Sequence, residues 1–471
     1  MLASLDYPFF KYFLALLLLD VCLYPAYRYL MHCESGVPTL PLLCLAYAVQ
    51  FALPILTREQ VMPVAFDVIS LGDTEVEAAS LMAIIGLVVL QATFYLMRTQ
   101  GIAQNLPVAA LPLNKRRAVI FCVGVFALSF LMRAVESLII EGFGLQLNAV
   151  LNLIQNQVLV AIGILGWLVY TSRGARWHKA LLYTIVAVAM VRGSATSMME
   201  SMLLPVMVLF ATKWVYTRRV PLFGFIAVAG LMIFLSPVKG AFRAMVGQEM
   251  EAAKQSTAVE RSMLWLDQAA EFWTESLTGE RTLAESTSDI TSRTDLIHQF
   301  AYIYSATPSV VPFQNGGTYK YFAVALIPRA LWPGKPVANS ANSFYAINYG
   351  ITTEEGVQTS SFGASLIGEG YINFGLLGVL LAMTMQGLIL SLLEQVFGGV
   401  NAGAGGMAIF IAIFVSFLNG IGSSAELMFG GIIQNLLCSA VLLWWARDRM
   451  QRRLRPIRSF SAPLVSALKG G

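Results

Sequence analysis

Residues 1–30 read MLASLDYPFFKYFLALLLLDVCLYPAYRYL, and the apolar run inside them decides the class of fold. The run has the length that a helix needs to cross a hydrocarbon core of roughly 30 Å. The stretch lacks a basic start and a small-residue cleavage site, so we expect a first membrane span rather than a cleaved secretory signal. In such a helix the backbone N–H and C=O groups bond to each other, which is necessary because lipid tails offer them no hydrogen-bond partners.

Apolar runs of this kind recur along the chain. Of its 471 residues, 57% are hydrophobic and 12% are charged, whereas soluble domains carry roughly 25% charged residues. The pattern predicts an all-α polytopic integral membrane protein with about 11 (10–13) transmembrane helices and one large periplasmic loop. We expect spans at 8–29, 38–56, 78–97, 117–139, 149–170, 180–193, 199–216, 220–236, 371–393, 405–422 and 427–446.

The positive charges indicate which ends of these spans face the cytoplasm. Lys and Arg are concentrated at 98–117, 171–179, 213–219 and 447–458. With the spans given above, these four stretches all lie on the same side of the membrane. Cytoplasmic loops carry such an excess, so these stretches are predicted to be cytoplasmic. The loop 57–77 has one Arg against five acids and falls on the other side. The N-terminus is then also expected outside.

Four regions follow from this arrangement. They are an N-terminal helix bundle (1–236), the large periplasmic loop (237–370), C-terminal helices (371–446) and a basic cytoplasmic tail (447–471). Within the loop, residues 248–273 place apolar side chains at steps of three and four. This spacing predicts an amphipathic helix that lies either on the membrane or on the bundle.

Cations beside apolar surface are the main candidates for ligand binding. The planar guanidinium of Arg forms paired, charge-assisted bonds with phosphate, so the set suits a ligand with an anionic head and a lipid tail. The alternative is that each cation merely extends to the membrane interface, with Trp332 and its neighbouring prolines as an anchor and a turn. The cations of this set are Lys239, Arg243, Arg293, Arg329 and Lys335.

Charges within or beside the spans form a second group. Arg133 and Glu136 share one helix face, Arg192 and Glu200 flank a tight outer turn, and Glu426 opens the last span. Ionisable groups at membrane depth are costly and mark either a functional site or an ion pair between helices. Both interpretations stay open.

Several chemistries find no support in the sequence. His298 is the only histidine expected outside, so a site of several histidines for a metal is not expected there. No phosphate-binding or dinucleotide-binding glycine motif occurs in a strand-turn-helix context. The five cysteines fall outside the loop, which excludes a disulfide framework in it. No metal, cofactor or nucleic acid is predicted.

Four motifs resemble those of Wzy-type polysaccharide polymerases, which join O-antigen or other oligosaccharide repeat units. The resemblance covers about residues 230–395 and is sharpest in the proline-rich motif, whereas the first 200 residues match only in spanning a membrane many times. The motifs are Arg293-x-Asp295, Gly316-Gly317-x-Tyr319, Pro328-Arg329-x-x-Trp332-Pro333-x-Lys335-Pro336 and Gly368-Glu369-x-Tyr371-x-Asn373-x-Gly375.

The resemblance implies a glycosyltransferase at the periplasmic face of the bacterial inner membrane. A glycan held on undecaprenyl diphosphate would pass to a sugar hydroxyl of an incoming lipid-linked repeat unit. The implied partners are that lipid-linked oligosaccharide, membrane lipids, and the chain-length regulator and flippase of the same pathway. No metal would be required, because cationic side chains would stabilise the departing diphosphate.

The same resemblance suggests roles for individual residues. Asp295 and Glu369 are the first candidates for the base that takes the hydroxyl proton, and His298 stands behind them; Asp295 could instead hold Arg293. Aromatic side chains would stack on sugars or line the lipid groove, namely Tyr319, Trp332 and Tyr371. The cations expected to act on the diphosphate are Arg293, Arg329, Lys335 and Arg243. Lys239, Arg192 and Arg133 are expected to make further substrate contacts because of their charge and their positions near span ends, and not because of the resemblance.

Three alternatives come from other classes of protein. A ligase-like enzyme would use the same donor but hand the glycan to a different acceptor. A transporter or flippase would be expected to show internal repeats and a charged central path, and neither pattern is evident. A non-catalytic scaffold would tolerate the loss of Arg329.

Overall fold

The computed structural model describes residues 9–31, 37–99, 111–143, 148–171, 174–194, 199–238, 258–278, 295–325, 327, 332, 340–359, 362–398 and 402–447. Within these residues the protein is predominantly α-helical, and one two-stranded antiparallel ribbon is the only sheet. The prediction of an all-α membrane protein is therefore confirmed at this level.

The first half of the chain forms long helices that follow the apolar runs. A π-helical turn at Ala48–Ala52 joins α2 to α3, so the three pieces form one continuous rod. The elements are α1 (Phe9–Met31), α2 (Thr39–Tyr47), α3 (Leu53–Thr57), β1 (Val61–Pro63), β2 (Val68–Ser70), α4 (Asp73–Thr99), α5 (Lys115–Phe143), α6 (Asn148–Tyr170), α7 (Arg176–Ser194), α8 (Met199–Thr217) and α9 (Leu222–Leu235).

The second half combines shorter helices with three long ones. Its elements are α10 (Ala258–Thr278), α11 (Leu296–Ala306), α12 (Tyr319–Ala325), α13 (Ser340–Asn348), α14 (Gly356–Thr359), α15 (Ser365–Phe397), α16 (Gly403–Asn419) and α17 (Ala425–Ala446). The amphipathic helix predicted within 248–273 corresponds to α10, which begins later and ends at Thr278.

Six stretches of helix are long and apolar enough to cross a membrane within the part of the chain that the structure describes. They are Phe9–Met31, Thr39–Thr57, Asp73–Thr99, Leu153–Tyr170, Ser365–Phe397 and Ala425–Ala446. Shorter apolar helices occupy Ser201–Thr217, Leu222–Leu235 and Gly403–Asn419. Each of the eleven predicted spans overlaps a helix, but the number that cross the membrane stays a prediction.

Helix α15 packs along α4 at the centre of the bundle, and small residues permit the contact. A Cβ atom placed on Gly387 would lie 2.6 Å from the carbonyl oxygen of Leu90. The two backbones therefore approach each other as closely as small residues allow in membrane helix packing. The surrounding core is built from the buried aliphatic and aromatic side chains of α2, α4, α6, α11, α15 and α16.

The connecting segments meet in two groups, at opposite ends of the long helices. In one group, Ala65 donates its backbone N–H to Gly350 O (2.9 Å) and Ser365 donates to Gly422 O (3.3 Å). We call this the loop end; it comprises 58–72, 295–318, 340–351, 362–365 and 420–424. In the other group, Leu111 donates to Ala402 O (2.9 Å).

Helix α15 is broken near its start. Phe374 (φ −139°, ψ 21°) and Gly375 (φ 60°, ψ −142°) leave the helical conformation, so the first part, 365–373, folds back on the second. A Cβ atom on Gly370 would lie 2.6 Å from the carbonyl oxygen of Gly378. The predicted span 371–393 runs across this break. The second part alone, residues 376–397, is about 33 Å long and therefore long enough to cross a bilayer.

Candidate active site

The structure describes the side chains of seven of the predicted site residues: Arg192, Asp295, His298, Tyr319, Trp332, Glu369 and Tyr371. Lys239, Arg243, Arg293, Arg329 and Lys335 lie outside the described residues. Arg133 belongs to α5, but its side chain lies outside the described part of the structure.

Asp295 joins two charged or titratable partners at the start of α11. It is the N-cap residue of this helix, a position that favours Asp, and its Oδ1 accepts the backbone N–H of His298 at 3.1 Å. Its Oδ2 lies 2.6 Å from His298 Nδ1 and accepts a hydrogen bond from Arg58 Nη1 at 2.5 Å. Asp295 is 3% exposed and His298 is 1% exposed. The three side chains thus form one buried polar cluster, which we call the Asp–His–Arg cluster.

The cluster orients the imidazole of His298. In the neutral tautomer whose Nδ1–H donates to Asp295, the other ring nitrogen, Nε2, carries a lone pair. This nitrogen is buried and has no hydrogen-bond partner among the described residues. A carboxylate that fixes one imidazole nitrogen and leaves the other free is the arrangement that general-base histidines use. Because both oxygens of Asp295 are already engaged, the geometry favours His298 over Asp295 as the base.

Arg58 is the functional candidate that the sequence interpretation missed. It was counted only as one charge in the loop 57–77, although its side chain, 8% exposed, is buried against Asp295. The two residues are 237 positions apart, so no sequence spacing links them. The predicted partner Arg293 lies outside the described residues, and Asp295 is held by Arg58.

A second buried cluster ties two of the quoted motifs together around Glu369. The Thr318 hydroxyl donates to Glu369 Oε1 at 2.8 Å, and the Ala425 backbone N–H donates to Oε2 at 2.6 Å. Asn373 Nδ2 donates to Thr318 Oγ1 at 2.7 Å. Since Glu369 is 2% exposed and uses both oxygens, this geometry favours a positioning role over proton transfer.

Glu426 extends this arrangement to α13. Its Oε2 accepts the backbone N–H of Ala341 at 3.3 Å, while Asn342 Oδ1 accepts that of Ser424 at 3.1 Å. Glu369 and Glu426 therefore each accept an N–H from the first turn of another helix, where a negative charge is favoured. The sequence leaves open whether Glu426 belongs to a functional site or to an ion pair, and its described contact is with a helix N-terminus.

The predicted aromatic residues differ in their surroundings. Tyr371 is buried, with the rings of Phe300, Tyr304 and Phe313 at centroid distances of 5.8, 5.6 and 6.0 Å. It is part of the core between α11 and α15. Trp332 is 41% exposed, so its ring is available to a ligand.

Burial keeps the phenols of Tyr319 and Tyr349 neutral. It raises the pKa of Tyr319 above its ordinary value, and the charge of Glu369 raises it further. It also raises the pKa of Tyr349 to about 12, against the opposing effect of a hydrogen bond from Thr307. These tyrosines can serve as hydrogen-bonding groups or ring surfaces, but not as anions near neutral pH.

Arg192 contacts the helix bundle. Its Nη1 donates to Ser129 Oγ at 3.0 Å, and its guanidinium lies 4.8 Å from the centre of the Phe130 ring. These contacts link α7 to α5. Among the described residues, no group of three or more His, Cys, Asp or Glu side chains is placed to hold a metal ion.

The comparisons with known proteins give one match. No curated protein and no solved structure matches the chain. One family model matches residues 114–450, which include both clusters except Arg58. That family is described as a domain of unknown function (DUF8712), and the chain belongs to it.

Proposed function

We propose that the protein is a membrane-embedded glycosyltransferase that polymerises oligosaccharide repeat units carried on undecaprenyl diphosphate. The bond between the donor sugar and the diphosphate would break, and a new bond would form to a hydroxyl of the incoming repeat unit. The hydroxyl proton would pass to a base, and undecaprenyl diphosphate would leave. The reaction would take place at the loop end, at the periplasmic face of the bacterial inner membrane.

The observation that carries this proposal is the Asp–His–Arg cluster. It places a buried, oriented imidazole at the loop end, close in sequence to Arg293 and to the motifs that resemble the polymerases. A base of this kind is required by a transfer to a sugar hydroxyl, whereas passive movement of a lipid-linked sugar needs none.

The second cluster supports the proposal because it fixes the ends of the segment that carries the other cations. Residues 326–339, with Arg329 and Lys335, connect α12 to α13. In the turn before α12, the Thr318 hydroxyl donates a hydrogen bond to Glu369. At the start of α13, the backbone N–H of Ala341 donates a hydrogen bond to Glu426. Both attachments are buried, so the connection begins and ends on fixed supports. Under the proposal, Arg329 and Lys335 would stabilise the negative charge of the departing diphosphate.

The proposal is tested with purified protein, a synthetic lipid-diphosphate repeat unit and EDTA, with the products separated on a gel. The wild-type protein is expected to produce a ladder. Arg293→Ala and Arg329→Ala should remove it, and His298→Gln should slow it by about 10²–10⁴-fold, the usual contribution of a general base. Lys320→Ala is the matched control, because this exposed cation of α12 lies nine residues before Arg329 and has no assigned role.

Each result leads to a different conclusion. A ladder that survives the three site variants would reject the site while leaving the activity in place. Folded wild-type protein that makes no ladder, with a repeat unit shown to be intact, would reject polymerisation. A ladder that is present in the wild type and in Lys320→Ala but absent or slowed in the site variants supports both the polymerase activity and the proposed site.

A further inference from the structure

Helix α10 has two apolar faces, and among the residues that the structure describes only one of these faces packs on protein. The packed face consists of Trp265, Ala269, Phe272 and Ser276, which are buried and spaced at three and four residues. Together with side chains of α8 and α9, Trp265, Ala269 and Phe272 form a hydrophobic cluster of their own, separate from the central core. This contact fixes the rotation of α10 about its axis.

The second face is an exposed apolar stripe. Val259, Met263, Leu266 and Leu277 are 55%, 57%, 42% and 83% exposed. Their spacing of four, three and eleven residues places them on one line along the helix, with Ala270 between them. We call this line the α10 stripe. The acidic residues Asp267, Glu271 and Glu275 lie on the third side of the helix.

Contacts of α10 with its neighbours set its depth beside the bundle. Ser262 Oγ lies 2.5 Å from Ser194 Oγ at the end of α7, and Trp273 Nε1 donates to Phe234 O at the end of α9 (2.9 Å). Val228, nearly two turns before the end of α9, packs against the same cluster. The helix therefore lies beside the last turns of α9 rather than above them.

Helix α9, against which α10 packs, also has exposed apolar side chains. Ile226, Met232 and Ile233 of α9 are 59%, 41% and 49% exposed, as expected for a helix side that faces lipid. We propose that the α10 stripe is inserted into the adjoining membrane interface, so that the three sides of α10 face the bundle, the bilayer and water. Amphipathic helices bury their apolar side about 5–10 Å into this zone.

Charge favours lipid over a second copy of the chain as the occupant. Glu260 and Asp267 lie next to the α10 stripe, on the acidic side of the helix. If the stripes of two copies of the chain packed together, these like charges would come close to each other. The acidic character of this edge also means that insertion depends on apolar burial and not on attraction to anionic lipids. The inference does not depend on the proposed enzymatic function.

Nitroxide labels on the full-length protein in phosphatidylcholine–phosphatidylglycerol vesicles test the inference. Single cysteines replace Met263 and Leu266 on the stripe, and Asp267 and Glu271 on the polar side as matched controls. The background chain has the native cysteines replaced by alanine: Cys22, Cys33, Cys44, Cys122 and Cys438. Labels at 263 and 266 should collide more with oxygen than with a water-soluble nickel chelate, and labels at 267 and 271 should show the reverse.

Two outcomes would overturn the inference. Equal exposure of all four labels to the nickel chelate would place the stripe in water. Shielding of labels 263 and 266 from both reagents would mean that protein covers it. If the cysteine-free chain does not fold, a photoreactive amino acid at Met263 or at Glu271 in the native chain replaces the labels. Lipid adducts are then expected at 263 only, and their absence there would reject insertion.

Discussion

At the scale of single residues, the account depends on a charge pair that the sequence does not reveal. Arg58 and Asp295 are both buried and joined at 2.5 Å. Removing one partner of such a pair leaves the other as an isolated buried charge, which costs far more than breaking a surface pair. Removal of Asp295 would also release the imidazole of His298, because Asp295 holds both groups.

Arg58→Met is therefore predicted to lower the free energy of unfolding by about 3–5 kcal/mol. Adding Asp295→Asn should restore part of this loss, because the remaining charge is then removed. The measurement is denaturant unfolding in detergent, analysed as a double-mutant cycle. Lys11→Met is the matched control: Lys11 pairs with Asp73 at 2.7 Å, but Asp73 is 50% exposed, so the cost should stay below about 1 kcal/mol. Equal losses in the two single variants would contradict a buried pair.

At the scale of elements, the break in α15 creates the second cluster. A straight helix through 365–397 would carry Glu369 away from Thr318 and from the start of α17. The backbone of Gly375 (φ 60°, ψ −142°) lies in a region that is nearly restricted to glycine. Gly375 is the last residue of one of the four motifs, but a single glycine in a sequence does not tell where a long apolar helix reverses.

Gly375→Ala is predicted to cost about 1–3 kcal/mol of stability, the range for a non-glycine residue in such a conformation. It should also reduce polymer formation, because the support of the 326–339 connection is displaced. Thermal unfolding and the gel assay measure the two effects. Gly230→Ala in α9 is the control, since a Cβ atom there meets nothing within 4 Å. A Gly375→Ala protein as stable and active as the control would show that the break is not needed.

At the scale of the whole molecule, the two groups of connections agree with the distribution of charge. Asn114 donates its backbone N–H to Ala446 O at 3.0 Å, which joins two stretches that are rich in Lys and Arg. The loop end instead combines the acidic loop 57–77 with the large polar segment. Under the positive-inside rule the group that contains Asn114 and Ala446 would face the cytoplasm.

Cysteine labelling tests this orientation. Lys320→Cys and Arg116→Cys place exposed thiols at the two ends of the bundle. A membrane-impermeant maleimide added to intact spheroplasts should label position 320 at once and position 116 only after lysis, because the reagent cannot cross the bilayer. Labelling of position 116 alone before lysis would mean that the orientation is inverted.

The sequence predicts the helices well and the site only in part. Long apolar runs specify membrane helices because length and hydropathy are local properties, and every expected span overlaps a helix. Asp295, His298 and Glu369 were also recognised as candidates. The sequence does not identify their partners Arg58, Thr318 and Ala425, because contacts between distant segments depend on how the helices pack. That packing also places Tyr371 among the rings of Phe300, Tyr304 and Phe313, which its position in the sequence does not reveal.

The most direct test of the central claim is to count undecaprenyl diphosphate against the glycosidic bonds formed. Purified protein in vesicles would receive the radiolabelled lipid-linked repeat unit, and both products would be quantified over time. The account predicts one undecaprenyl diphosphate released for every bond in a growing ladder, with the repeat unit acting as both donor and acceptor. Consumption of the repeat unit without a ladder, or a ladder without release of the diphosphate, would contradict it.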